Sequence, residues 1–219
     1  MYIALKYKES NIVEYVLYMW HIEELIRSFN FEIDEVKYNV ISKFHLNSEA
    51  EEEMLRWYRG LINKMTEEGI REAGHLSELV EVMTEIQYLH HSLITVYQEK
   101  SYQDLVAEAM KSIDALKSKS DGRQRTDIEI AMNGLFGVLL LKLKKRQVSE
   151  ETQDAVKAIS VMMATLAKHY NSMKQGTLSF PKVMDNWFAT KSSLSLRADH
   201  ILDFLAVSIS NYLHCIHVE

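Results

Sequence analysis

Glycine and proline, the two residues that most often interrupt regular backbone, are scarce in this chain. It contains 7 Gly and 1 Pro among 219 residues, about a third of the roughly 12% that is usual for these two residues together. Sheets need Gly, Pro or Asn-Gly turns roughly every ten residues, whereas long helices joined by short polar loops need few. The sequence therefore predicts an all-α fold.

Helix starts are marked at four positions by a capping residue followed three residues later by an acid. At this spacing the two side chains satisfy each other's free backbone N–H groups. Apolar residues recur at helical spacing after each of these positions and also along 33–44, 76–97, 149–173 and 192–216. We expect seven or eight helices in one compact bundle over residues 1–219, with 118–126 as the candidate seam between two subdomains. The four pairs are Asn11 with Glu14, Ser48 with Glu51, Ser101 with Asp104, and Thr126 with Glu129.

Two of the predicted helices, 11–29 and 126–146, are apolar around most of their circumference. Helices of this kind lie at the centre of a bundle, with neighbours on several sides. Gly134 and Gly137 lie inside the second helix, where each costs about 1 kcal/mol relative to Ala. We expect two largely buried central helices and a close approach of a neighbouring element at these glycines.

Composition and charge exclude several function classes. The net charge of −6 argues against nucleic acid as the main partner, because phosphate backbones are bound by basic surfaces. The basic run at 142–146 ends a predicted helix, where it complements the helix dipole, and an anion-binding patch is the alternative. The longest apolar stretch, 134–141, is far shorter than the about 20 residues of a membrane span. Cys215 is the only cysteine, so the sequence predicts a cytoplasmic protein without an intrachain disulfide.

Signature motifs of catalysis are missing from the sequence. It contains no His-Glu-x-x-His, no Cys-x-x-Cys, no Gly-Lys-Ser/Thr phosphate loop and no Gly-x-Ser-x-Gly elbow. Only Glu72 with His75 has the Glu-x-x-His spacing of a di-iron ligand pair, and Gly74 between them argues against a continuous helix there. We therefore predict no catalytic residue, no metal ligand and no cofactor.

Polar side chains on apolar helix faces are the candidate site residues. Glu14, Tyr18 and His21 share one face of the first central helix, and Glu24 extends that face. The pair His90 and His91 raises the same question, because His90 lies on a core stripe. Such groups form either a buried structural hydrogen-bond network or a site with perturbed pKa values.

Aromatic residues form a second set of candidates. The longest irregular segment, 175–192, contains Phe180, Trp187 and Phe188, which either cap one end of the bundle or form an interaction loop. Aromatic side chains are enriched at protein interfaces. Six residues are candidates for an interaction face: Trp57, Tyr58, Tyr88, Tyr97, Trp187 and Phe188.

The segment from Asn11 to Arg27, NIVEYVLYMWHIEELIR, resembles the opening helix of an uncharacterised family of all-helical bacterial proteins. That family is a domain of unknown function typical of gut anaerobes. The resemblance implies a bacterial cytoplasmic protein with no assigned activity, and it transfers no catalytic residue to this chain.

Two functional hypotheses follow from the sequence. The first is a non-enzymatic helical protein that acts through a protein partner or through self-association, using an apolar or aromatic helix face. The alternative is an enzyme that binds a metal or a small ligand with polar groups from the first central helix and from His90 and His91 in the bundle core.

Overall fold

The computed structural model describes residues 2–118 and 125–178 of the chain. These residues form eight α-helices and one short 3₁₀ turn, and they contain no strand, so the all-α prediction is confirmed. The helices are α1 (Tyr2–Ser10), α2 (Ile12–Ser28), α3 (Ile33–Asn39), α4 (Ser48–Glu67), α5 (Ser77–Thr95), α6 (Lys100–Ser118), α7 (Asp127–Leu143) and α8 (Glu150–Lys174), and the 3₁₀ turn is Ile41–Phe44.

Helix α2 is central, as its apolar circumference predicts. Thirteen of its 17 residues are buried, and it contacts α1, α5, α7 and α8. Helix α7 is the second predicted central helix, and it also has four neighbours, α2, α5, α6 and α8. The longest helix, α8, is equally central, because it packs on α2, α5, α6 and α7.

Two of the four predicted capping pairs are confirmed. Asn11 accepts hydrogen bonds from the backbone of Val13 and Glu14, and Thr126 and Glu129 form a reciprocal capping box. Ser149, where the periodic stretch 149–173 begins, caps α8. Two predicted starts are wrong by one or two residues. The backbone of α4 is capped by Asn47 instead of Ser48, and the first turn of α6 is capped by the Glu99 carboxylate instead of Ser101.

Helix α1 was not expected from the sequence. Among its residues 3–10, Ala4 and Tyr7 are the buried ones, so this apolar stripe is too short to stand out, yet the helix packs extensively on α2. The predicted end of α8 is confirmed, because Gly176 adopts a left-handed φ of 66° two residues after the helix ends.

Only one of the two α7 glycines marks a close approach. A Cβ atom on Gly134 would lie 2.6 Å from Cδ1 of Leu116 in α6, whereas nothing lies within 4 Å of a Cβ on Gly137. The expectation of close packing is therefore confirmed at Gly134 and wrong at Gly137. Across the predicted seam at 118–126, α7 and α8 contact α2, α5 and α6.

Candidate functional site

The polar groups predicted on α2 have separate local environments. Glu14 accepts a hydrogen bond from the Asn11 side chain at 3.0 Å, and burial raises the pKa of its carboxyl to about 7. Tyr18 is buried with its ring 5.8 Å from that of Tyr7. Glu24 is exposed and pairs with Arg27 at 2.8 Å.

His21 is also buried. Neither of its ring nitrogens has a hydrogen-bond partner among the described residues. Burial lowers the pKa of the imidazole to about 4, so this histidine is neutral at physiological pH. An unpartnered neutral imidazole in the core costs folding free energy.

The two histidines of α5 differ from each other. His90 is half-buried, with its Nδ1 atom 2.7 Å from the hydroxyl of the buried Tyr102, and burial lowers its pKa. His91 is exposed. Both line one pocket of about 420 Å³ between the second half of α5 and the start of α7. The structure thus brings His90 and His91 close to the start of α7. The polar side chains predicted on α2 do not line this pocket.

The described residues were also compared with the requirements of a metal site. Within 2–118 and 125–178, no group of three or more His, Cys, Asp or Glu side chains could hold a metal ion. Structural zinc sites need four protein ligands and catalytic ones need three. The predicted aromatic loop residues Phe180, Trp187 and Phe188 lie outside the described residues.

A carboxylate–histidine pair that sequence reasoning missed lies at the second half of α2. Glu23 is almost completely buried, and one of its oxygens lies 2.6 Å from Nδ1 of His75. Its other oxygen accepts the backbone N–H of Leu76 at 2.8 Å. His75 is a third exposed. Because 52 residues separate the two side chains, no local spacing could have revealed the pair.

Arg27 completes this contact between α2 and the α4–α5 loop. Its guanidinium donates hydrogen bonds to the backbone oxygens of Ile70 and Gly74. Glu23 and Arg27 therefore hold both ends of the loop from one helix. These contacts fix the geometry of the loop. None of the α2 side chains that form them is a nucleophile.

The exposed aromatic set is smaller than the sequence predicted. Tyr58 is fully buried, so its interpretation as an interface residue is wrong, whereas Trp57 is half-buried and packs against the core. Both lie on the core-facing side of an amphipathic helix. Tyr88 on α5 is 71% exposed, and Tyr97 after α5 is 47% exposed.

Tyr88 belongs to a continuous exposed stripe on α5. The stripe, which we call the α5 seam, repeats every three and four residues, the spacing of a coiled-coil contact. The hydroxyls of Thr84 and Thr95 donate to backbone oxygens of their own helix, so their methyl groups remain for a partner. The α5 seam consists of Glu81, Thr84, Tyr88, His91 and Thr95, all exposed.

The basic run at 142–146 lies at the carboxyl end of α7. Lys142 is in the last turn and Lys144 follows directly, which is where positive charge complements the helix dipole. Among the described residues, no helix is both long and apolar enough to cross a membrane.

Comparison with known proteins gives a family without an assigned activity. No curated protein and no solved structure matches the chain. A family model described as a domain of unknown function, DUF4924, matches residues 1–177. Because this match covers most of the 219 residues, the chain belongs to the DUF4924 family of unknown function.

Proposed function

We propose that this protein is a non-enzymatic helical module of the bacterial cytoplasm that acts by self-association through the α5 seam. The observation that carries the proposal is the 71% exposure of Tyr88 at the middle of the seam. A large aromatic side chain at this position is the typical anchor of a small interface.

The positions of Glu81 and His91 along the seam favour a second copy in antiparallel orientation. Glu81 lies in the first half of α5 and His91 in the second half, so antiparallel pairing places each Glu81 opposite His91 of the second copy. Thr84 then faces Tyr88. Parallel pairing would place Glu81 against Glu81, which is repulsive. The antiparallel pair has the two-fold symmetry of most homodimers, and every contact occurs twice.

The expected dimer is weak. The seam covers 81–95, a length of roughly 21 Å at 1.5 Å per residue. A contact between two helices of this length is smaller than the about 1,600 Å² of a standard interface. We expect a dissociation constant on the order of 10–100 μM.

Sedimentation equilibrium over a concentration series tests the proposal. The wild-type chain should rise from its monomer mass of 25.5 kDa towards twice that mass as the concentration passes about 100 μM. Tyr88→Glu should remain monomeric, because it places two charges at the centre of the contact.

Tyr38→Glu is the matched control. Tyr38 lies on α3 with 74% of its surface exposed, so its replacement has the same chemistry as Tyr88→Glu at a position outside the seam. It should leave the self-association unchanged. A wild-type chain that stays at the monomer mass throughout, or an equal effect of both substitutions, would overturn the proposal.

A further inference from the structure

The imidazole ring of His75 has one nitrogen bound and one nitrogen open. The carboxylate of the buried Glu23 lies 2.6 Å from Nδ1. Since a carboxylate accepts hydrogen bonds and does not donate them, the neutral ring carries its proton on Nδ1 and its lone pair on Nε2. Nε2 makes no hydrogen bond among the described residues, and it is not one of their buried unpartnered nitrogens. Because a third of the side chain is exposed, this lone pair is accessible from solvent.

Two contacts of the ring stabilise positive charge on it. Trp20 stacks on the ring with the centroids 4.4 Å apart and the planes 15° from parallel, and the face of an indole attracts a cation. Glu23 places a carboxylate at the Nδ1 edge, and the backbone N–H of Leu76 fixes that carboxylate through its other oxygen. Bond formation between Nε2 and an electrophile leaves positive charge on the imidazole. Both contacts therefore favour such a bond.

The surroundings of Nε2 narrow the kind of electrophile. A metal ion needs at least three protein ligands, and no group of His, Cys, Asp and Glu side chains within 2–118 and 125–178 could supply them. A phosphoryl group needs only one acceptor atom, and histidine is among the side chains that form covalent intermediates. A carboxylate at the second nitrogen of a reacting imidazole holds the tautomer and stabilises the charge that develops.

From this geometry, we propose that His75 is a phosphorylation site that accepts a phosphoryl group from an acyl phosphate. The lone pair of Nε2 forms a bond to phosphorus while the bond between phosphorus and the acyl oxygen breaks, and the carboxylate leaves with that electron pair. The Nδ1 proton stays in its hydrogen bond with Glu23. Since a phosphorus–nitrogen bond to imidazole is energy-rich, the donor has to be similarly activated, as the mixed anhydride of an acyl phosphate is. Glu23 is a positioning residue, because it does not touch phosphorus.

Incubation of the wild-type chain with acetyl phosphate tests the assignment. Cleavage after glutamate places His75 in the peptide 73–78 and both His90 and His91 in the peptide 86–99, so mass spectrometry at alkaline pH separates the sites. His91 is the internal control, because it is exposed and no described carboxylate is bound to its ring. The peptide 73–78 should gain one phosphoryl group about tenfold faster than the peptide 86–99.

Substitutions test the role of each contact. Glu23→Gln should slow the labelling of His75 about tenfold, because a neutral amide stabilises less positive charge, and should leave the peptide 86–99 unchanged. Trp20→Phe retains a ring with a weaker attraction for cations and should slow the labelling about threefold. His75→Gln should remove the label from the peptide 73–78. Both peptides are measured in one sample, so a loss of stability that exposes all sites cannot produce the expected ratio.

Phosphorus NMR identifies the nitrogen that carries the label, which should be Nε2. The inference stands apart from the proposed self-association, because Tyr88→Glu retains Trp20, Glu23 and His75 and should be labelled as fast as the wild type. An unlabelled peptide 73–78, label on Nδ1, equal labelling of both peptides or a wild-type rate in Glu23→Gln would overturn the inference. Each of these results would leave the seam proposal untouched.

Discussion

Trp20 lies face to face on His75, with their ring centroids 4.4 Å apart and their planes 15° from parallel. The carboxylate of the buried Glu23 forms a hydrogen bond with Nδ1 of the same imidazole ring. One turn of α2 thus fixes the loop between α4 and α5 by stacking and by a charge-assisted hydrogen bond. The loop precedes α5, so this contact also positions the helix that carries the seam.

Replacing Glu23 tests how much this contact stabilises the fold. Glu23→Ala should lower the free energy of unfolding by about 2–4 kcal/mol, because it leaves the Leu76 N–H and the His75 ring without their acceptor. Glu24→Ala is the control, since Glu24 is half exposed and its loss should cost less than about 1 kcal/mol. Urea denaturation measures both, and equal effects would contradict the assigned role.

His21 should make the protein sensitive to acid. Its pKa is about 4 in the folded state against 6.5 for an ordinary histidine, so protons bind the unfolded chain more readily between these values. The free energy of unfolding should therefore fall by about 3 kcal/mol as the pH drops from 6.5 to 4. His21→Leu should abolish this loss in denaturation curves measured across that range. An unchanged slope in the variant would contradict the burial of a neutral imidazole.

The contribution of Glu14 to stability should have the opposite pH dependence from that of His21. Its pKa is about 7 in the folded state against 4.5 ordinarily, so stability is lost as the pH rises from 4.5 through 7. Because the carboxyl is only partly buried, we expect the free energy of unfolding to fall by about 1–2 kcal/mol over this range. Glu14→Gln retains the acceptor for Asn11 and should remove this loss above pH 7. If the variant is no more stable than wild type at pH 8, the carboxylate is better solvated than its environment indicates.

The two glycines of α7 should respond differently to alanine. Gly137→Ala should stabilise the protein by about 0.5–1 kcal/mol, because the site is open and alanine favours the helix. Gly134→Ala gains the same propensity but forces the Leu116 side chain to move, so its stability should be lower than that of Gly137→Ala. Thermal denaturation of the two variants measures the difference. A larger gain at Gly134 would contradict the tight contact with α6.

Periodicity and capping residues were sufficient to predict the fold class and most helices. The apolar circumference of α2 predicted its central place, and the pair Thr126 and Glu129 located the start of α7. Ser101 does not cap α6, because the Glu99 carboxylate accepts the Tyr102 N–H and also the Ser101 hydroxyl. Propensity and pattern decide where a helix lies, and competing side chains decide its first turn.

The candidate sites were less predictable, because they depend on tertiary contacts. His90 and His91 were found in the sequence, but their neighbours at the start of α7 lie more than thirty positions along the chain. The contact of Glu23 with His75 left no sequence signal, since both residues are common on helix surfaces and in loops. Conversely, Tyr58 is a candidate interface residue in the sequence and a core residue in the structure, because an aromatic stripe does not show which elements cover it.

Antiparallel pairing through the α5 seam is tested most directly by a charge-reversal cycle at Glu81 and His91, in which sedimentation equilibrium measures the dimer dissociation constant. Glu81→Lys and His91→Glu should each raise that constant about tenfold, since each change occurs twice in the symmetric dimer. The double variant places the new lysine at position 81 of one copy opposite the new glutamate at position 91 of the other, a pair of opposite charges, and should return to within a few-fold of wild type. A double variant that is as weak as the two single changes combined would contradict antiparallel pairing through the α5 seam.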